Sequence, residues 1–112
     1  MDQMAPPRAQ AAAAYRQTRT PRQAEAAVFA EANRRLRAAA SPPDRLRALA
    51  DTRRLWVMVL DRVSEPANAL PLPLRGQIAS VAHAMLRECD AEAPDLDFLL
   101  DINEQIGGAL WS

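Results

Sequence analysis

Proline clusters divide this chain into segments in which apolar residues recur at spacings of three and four. The breaks fall at Pro42 and Pro43, and again at Pro66, Pro71 and Pro73. No stretch of useful length alternates apolar and polar residues with the period of two that a half-buried strand requires. Alanine, the best helix former, fills 24 of the 112 positions and glycine only three. The chain is therefore predicted to be all-α, an antiparallel bundle of four to five helices.

Local signals place the helices. Thr20 is expected to be an N-cap, because Pro21 follows it at the first helical position and a Gln stands three residues after the Thr. The loops are predicted where proline and asparagine leave no alternative. The expected helices cover residues 9–18, 21–40, 43–64 and 73–89, and a fifth starts at 95. Residues 1–8 are predicted to be a disordered tail, and residues 9–112 a single helical domain.

One apolar stripe on each helix predicts the core. The residues expected inside it are Val28, Phe29, Leu36, Leu46, Leu49, Trp56, Leu60, Ile78, Val81, Ile102 and Ile106. In the helix at 43–64 the stripe runs through Leu46, Leu49, Arg53, Trp56, Leu60 and Val63. When this stripe faces the core, Leu55 and Val59 lie to one side of the buried face.

Charge is balanced over the whole chain but not along it. Residues 1–56 carry 11 Arg against 5 acidic residues, whereas residues 57–112 carry 3 Arg against 9. One interpretation is that two complementary halves attract each other within the bundle. The other is that the basic half binds RNA or an acidic protein surface, because Arg clusters bind phosphate. Some Arg is committed locally, since Arg47 and Arg54 are spaced to pair with Asp51.

Motifs for catalysis or metal binding are missing from the sequence. Cys89 and His83 are each alone, and there is no Gly-rich phosphate loop or hydrolase motif. The acidic stretch 90–101 lacks the Gly-centred spacing of a calcium loop. The longest apolar run, 55–60, is too short to span a membrane, and the N-terminus is not a signal peptide. We expect a cytoplasmic protein that is not an enzyme and has no metal, cofactor or small-molecule ligand.

Four segments, in this order, resemble motifs of the FlaF family of flagellar biosynthesis regulators. They are TPRQ at 20–23 followed by Glu25 and Phe29, RRLW at 53–56 followed by Asp61, NALP at 68–71 followed by Leu74 and Arg75, and LLDIN at 99–103 followed by Gly108 and Leu110. Thr52, Glu104 and Ala109 depart from the family pattern. Each motif alone is weak, but four in order over most of the chain are specific.

The resemblance implies a role in flagellin production. FlaF-like proteins act together with a partner, FlbT, and are described both as post-transcriptional regulators and as flagellin-binding secretion chaperones. One hypothesis is therefore a protein-binding module that holds a terminal helix of flagellin in a groove between helices. A second is an RNA-binding regulator of flagellin mRNA, although the basic half lacks interleaved aromatic residues. A third is a generic adaptor bundle.

Six residues are candidates for partner binding: Arg22, Glu25, Arg53, Arg54, Asn103 and Trp111. The first five come from the family motifs. One of Arg53 and Arg54 is expected to be partly buried and to pair with Asp61 or Asp101, the alternative being that both are solvated.

Structural roles are expected for several residues in the last two helices. Asn103 is expected to be a buried polar residue rather than a catalyst, Cys89 a small core residue and His83 a surface residue. Trp111 is either an aromatic anchor for a partner or a cap on the end of the bundle.

Overall fold

The computed structural model describes residues 21–111, and the surroundings of side chains from residue 23 to residue 107. Within these residues the chain forms four helices and no strand. They are α1 (Pro21–Ala38), α2 (Pro42–Ser64), α3 (Leu72–Cys89) and α4 (Leu96–Trp111). The all-α prediction is confirmed, and the helix bounds fall within two residues of most predicted ones. The predicted tail at 1–8, the helix at 9–18 and the Thr20 cap lie outside the described residues.

The sequence signals at the α1–α2 link act as expected. The Ser41 hydroxyl accepts a hydrogen bond from the backbone N–H of Asp44, at 3.2 Å. Pro42 and Pro43 occupy the first two helical positions, where a missing N–H costs nothing, and Asp44 lies in the first turn, where the helix dipole favours a carboxylate. These features start α2 abruptly after a three-residue link.

The α2–α3 link is held by two side chains from the NALP motif and the residues after it. Asn68 donates to the carbonyl of Arg62, and its own side-chain oxygen accepts from the N–H of Leu70. The Arg75 guanidinium donates to the carbonyls of Val63 and Glu65 at the end of α2. Arg75 thus satisfies carbonyls that a helix C-terminus leaves without partners.

The helices pack side by side in the order α3, α2, α1, α4. α2 packs against both α3 and α1, and α1 also packs against α4. The ion pairs Glu25–Arg62 and Arg35–Asp51 run in opposite directions along α1 and α2, which makes these helices antiparallel. No helix within residues 21–111 has the length and apolar character that a membrane crossing requires.

The core lies between these helices. Its fully or nearly buried apolar members are Phe29, Ala32, Leu36, Ala48, Leu55, Trp56, Val59, Val63, Ile78, Ala82, Met85, Cys89 and Leu99. Of the predicted core, Phe29, Leu36, Trp56 and Ile78 are buried. Five more are partly buried and pack against the core: Leu49, Leu60, Val81, Ile102 and Ile106. Two predictions are wrong, because Val28 is 43% exposed and Leu46 is 69% exposed.

The buried face of α2 is turned from the predicted one. It runs through Ala48, Thr52, Leu55, Trp56, Val59 and Val63. Leu55 and Val59 are therefore core residues, not side positions, and Arg53 is exposed. The physical reason is that α2 packs against α1 and α3, so its neighbours decide which face is buried. The small residues Ala48 and Thr52 are completely buried there.

Candidate partner-binding groove

An open groove of about 930 Å³ lies at one end of the bundle. We call it the hinge groove. One wall, the hinge wall, comes from the end of α1, the α1–α2 link and the start of α2. Its residues are Leu36, Arg37, Ala39, Pro42, Arg45, Leu46 and Leu49. The other comes from the α3–α4 link and the start of α4: Glu92, Ala93, Pro94, Asp95, Leu96, Asp97 and Leu100. Every basic residue of the groove is on the first wall and every acidic residue on the second.

The floor of the groove is apolar and only partly covered. Leu36 is buried, and Leu49, Leu96 and Leu100 pack against the core with part of their surface exposed. Leu46, near the start of α2, is 69% exposed. A single exposed leucine is ordinary on a protein surface, but one that continues an apolar floor between charged walls is typical of a binding site.

The acidic wall is held in place by three polar contacts. Arg53 on α2 binds both carboxylate oxygens of Asp90, with distances of 3.0 and 3.2 Å. Glu88 accepts from the backbone N–H of Asp95, and Asp95 in turn caps α4 by accepting from the N–H of Phe98. The link between α3 and α4 is therefore fixed to α2 at one end and to its own helices at the other.

Electrostatics fit these contacts. The hydrogen bonds from Arg53 lower the pKa of the Asp90 carboxyl below its ordinary value, because the guanidinium stabilises the charged form. On the adjacent residue, burial raises the pKa of the Cys89 thiol to about 11. The prediction that Cys89 is a small core residue is confirmed, and its thiol is not activated as a nucleophile.

A buried polar layer lies one helical turn behind the groove floor. Asn33, Thr52 and Asn103 each stand three residues from a floor leucine on α1, α2 and α4. All three are buried, and Asn103 accepts a 2.7 Å hydrogen bond from the indole N–H of Trp56. The buried polar role expected for Asn103 is confirmed. One polar atom in each of the three residues makes no hydrogen bond to a described residue: Asn33 Oδ1, Thr52 Oγ1 and Asn103 Nδ2.

The predicted site residues whose side chains are described have separate partners. Glu25 is half-buried and pairs with Arg62, whose Nη2 lies 2.7 Å from its carboxylate. Arg53 pairs with Asp90 and Arg54 with Asp51. Both arginines are exposed, so the predicted partial burial is wrong, as are the partners Asp61 and Asp101.

The remaining predictions resolve simply. Asp101 instead accepts from Gln105 on its own helix. Arg47 pairs with Asp44, not with the expected Asp51, because its guanidinium reaches back one turn. His83 is exposed, as predicted. The side chains of Arg22 and Trp111 lie outside the described residues.

Ion pairs occupy most of the described arginines. Arg37 with Glu104 and Arg53 with Asp90 join the basic half of the chain to the acidic half. This supports the interpretation that the halves attract each other, and it leaves few of the described guanidinium groups for phosphate. Among the described arginine side chains, Arg45, Arg75 and Arg87 have no ion pair. Arg75 binds backbone carbonyls instead, and Arg45 lies in the hinge groove.

The comparison with known families decides the assignment. The model of the family described as flagellar protein FlaF matches residues 8–110. The chain belongs to the FlaF family. No curated protein and no solved structure matches it.

Several residues of the family motifs have structural roles in this FlaF-family chain. Arg53 fixes the acidic wall, Asn68 and Arg75 close the end of α2, and Asn103 binds Trp56. Several motif residues are thus part of the framework around the hinge groove rather than contacts inside it.

The groove residues themselves were missed from the sequence. The apolar stripe predicts Leu46 in the core, and no sequence motif singles out Arg45, Glu92 or Asp97. The available signal was the position of Leu46 near the start of α2, where only one helical turn precedes it.

Proposed function

We propose that this FlaF-family chain binds flagellin in the cytoplasm as an export chaperone. It holds one terminal helix of flagellin in the hinge groove until export, and thereby promotes flagellin synthesis and secretion, with FlbT as a further partner. The observation that carries the proposal is the apolar floor of the groove, with Leu46 exposed, in a member of a flagellar protein family. Helix-in-groove binding uses surfaces of this kind.

The reason for a chaperone lies in the structure of flagellin. Flagellin has long amphipathic terminal helices that would otherwise associate with one another. In the monomer their apolar stripes are exposed, and contiguous exposed apolar surface promotes association. A chaperone that covers one stripe with apolar side chains lowers that tendency without a covalent step.

The alternative function is direct binding of flagellin mRNA. The basic N-terminal half favours it, and residues 1–22, whose side chains are not described, hold four of the arginines. Against it, most described arginines are engaged by carboxylates, and Phe29 and Trp56, which would have to stack on bases, are buried.

A pull-down separates the two functions. The intact chain is immobilised and mixed with full-length flagellin, with flagellin lacking its N-terminal helix, and with flagellin lacking its C-terminal helix. We expect one truncation to abolish capture and the other to leave it unchanged. Equal capture of both truncations, together with tight and salt-sensitive binding of flagellin mRNA, would reject the chaperone function in favour of the RNA-binding one.

A further inference from the structure

We infer that the hinge groove selects an amphipathic helix whose two polar edges carry opposite charges, one acidic and one basic. That the bound helix belongs to flagellin rests on the proposed function, whereas the charge pattern of the helix follows from the groove alone. The acidic edge of the bound helix faces Arg45, and its basic edge faces Glu92 and Asp97.

The first step of the argument is the separation of charge across the groove. The hinge wall carries Arg37 and Arg45, and the opposite wall carries Glu92, Asp95 and Asp97. The two walls are not neutralised by each other, because neither Arg45 nor Glu92 nor Asp97 has an ion pair among the described residues. Arg37 is bound by Glu104 and Asp95 by a backbone N–H, so these two are already engaged.

The second step is the fit of the floor. Leu46 lines the groove near the start of α2, and Leu96 and Leu100 line the opposite wall one turn apart on α4. A helix seated on this floor places its apolar stripe on the leucines and its two flanking edges against the two walls. Side chains on those edges then meet charges of one sign on each side.

The third step concerns direction. Turning an amphipathic helix end for end, with its apolar stripe still on the floor, exchanges its two edges. An occupant bound backwards therefore puts like charges against both walls, which is unfavourable. The separated charges give the groove a means of fixing the polarity of the helix it binds.

The test uses synthetic peptides as probes. Three peptides of about 18 residues share one leucine stripe and differ at their edges: one edge Glu and the other Lys, both edges Glu, or both edges Lys. Binding to the intact chain is measured by fluorescence anisotropy. We expect the peptide with opposite edges to bind roughly tenfold more tightly than either of the others, a difference of about 1.4 kcal/mol. Equal binding of all three peptides would overturn the inference.

Two leucines form a matched pair of variants. Leu46 lies in the groove and is 69% exposed, whereas Leu72 lies outside it, at the first position of α3, and is 74% exposed. We expect Leu46→Glu to weaken binding of the peptide with opposite edges by roughly tenfold or more, and Leu72→Glu to leave it within about twofold. Because both leucines are exposed, both variants should fold, which circular dichroism checks.

Further outcomes separate this inference from the proposed function. If flagellin binds and Leu46→Glu binds it as well as Leu72→Glu does, flagellin is not bound in the hinge groove. Binding of flagellin then stands, but its placement in the groove and this inference about flagellin are overturned. If the peptide with opposite edges binds in the groove and flagellin does not bind, the charge pattern stands and the chaperone function fails. A dimer of this chain that Leu46→Glu abolishes would replace the proposed occupant with a second copy and overturn the inference.

Discussion

The indole N–H of Trp56 on α2 donates a 2.7 Å hydrogen bond to the side-chain oxygen of Asn103 on α4, and both side chains are fully buried. The same indole ring meets Phe29 of α1 edge to face, with ring centroids 6.0 Å apart and an interplanar angle of 78°. From its place on α2, Trp56 thus contacts buried side chains of both α1 and α4.

Removing either partner of this bond should be costly. We expect Trp56→Ala to lower the free energy of unfolding by about 3–5 kcal/mol, because it leaves a large cavity. Asn103→Leu should cost about 1–3 kcal/mol, because it leaves the buried indole N–H without an acceptor.

Urea unfolding of Trp56→Phe, Asn103→Leu and the double variant measures the energetic coupling between Trp56 and Asn103. The double variant should cost less than the two single changes together, and strict additivity would contradict the bond.

The two glycines at Gly76 and Gly107 make a matched test of helix packing. A methyl group at Gly76 meets no atom within 4 Å, whereas one at Gly107 comes within 3.1 Å of the ring of Phe29. We expect Gly76→Ala to stabilise the chain by about 0.5–1 kcal/mol through helix propensity alone. Gly107→Ala should instead destabilise it, because α4 must move away from buried Phe29. Equal stabilisation by both variants in thermal unfolding would show that α4 does not approach α1 closely.

Acid should weaken the native state through exposed ion pairs. Hydrogen bonds from Arg34, and then from Arg35, lower the pKa of Glu31 from 4.5 to about 2, and Arg53 lowers that of Asp90. Since the folded pKa is the lower one, the stabilisation is complete above pH 4.5 and is lost as the pH falls towards 2. Urea midpoints measured against pH should show this decline, less steeply in Glu31→Gln and in high salt. A Glu31→Gln profile identical to that of the parent chain would contradict it.

The buried thiol should be protected from alkylation. Cys89 is 9% exposed, and burial raises its pKa to about 11. Because the thiolate is the reactive form, we expect iodoacetamide at pH 8 to modify the native chain far more slowly than the urea-unfolded chain. Mass spectrometry after timed quenching gives both rates. Equal rates would show that the end of α3 opens readily.

The sequence predicted the helices because their start and stop signals are local. Ser41, Pro42 and Pro43 act on residues next to them, and so do Asn68 and the proline-rich link. No distant contact is needed for these signals to work, which is why the helix bounds agree with the structure.

The orientation of α2 depends on distant contacts and was predicted less well. Two overlapping arcs of α2 are apolar, and both contain Trp56 and Val63. The larger residues favour the arc through Leu46 and Leu49, but the arc that is buried in the bundle contains the small residues Ala48 and Thr52. Which arc is buried depends on the partner helices, and a hydrophobic pattern within one helix does not contain that information.

The candidate site was predicted least well, for a related reason. The groove is formed by residues from two links that are far apart in sequence, so Arg45 and Glu92 come to face each other only after the bundle has folded. The partner of Arg53 was missed in the same way, because Asp90 lies outside the motifs that suggested Asp61 and Asp101.

Hydrogen exchange of the intact chain with and without flagellin tests the central claim most directly. The amides of residues 36–49 and 92–100 should exchange more slowly when flagellin is bound, while those of residues 72–80 at the start of α3 should not change. This pattern would place a terminal helix of flagellin in the hinge groove. Unchanged exchange throughout the chain, or protection confined to α3, would contradict the claim.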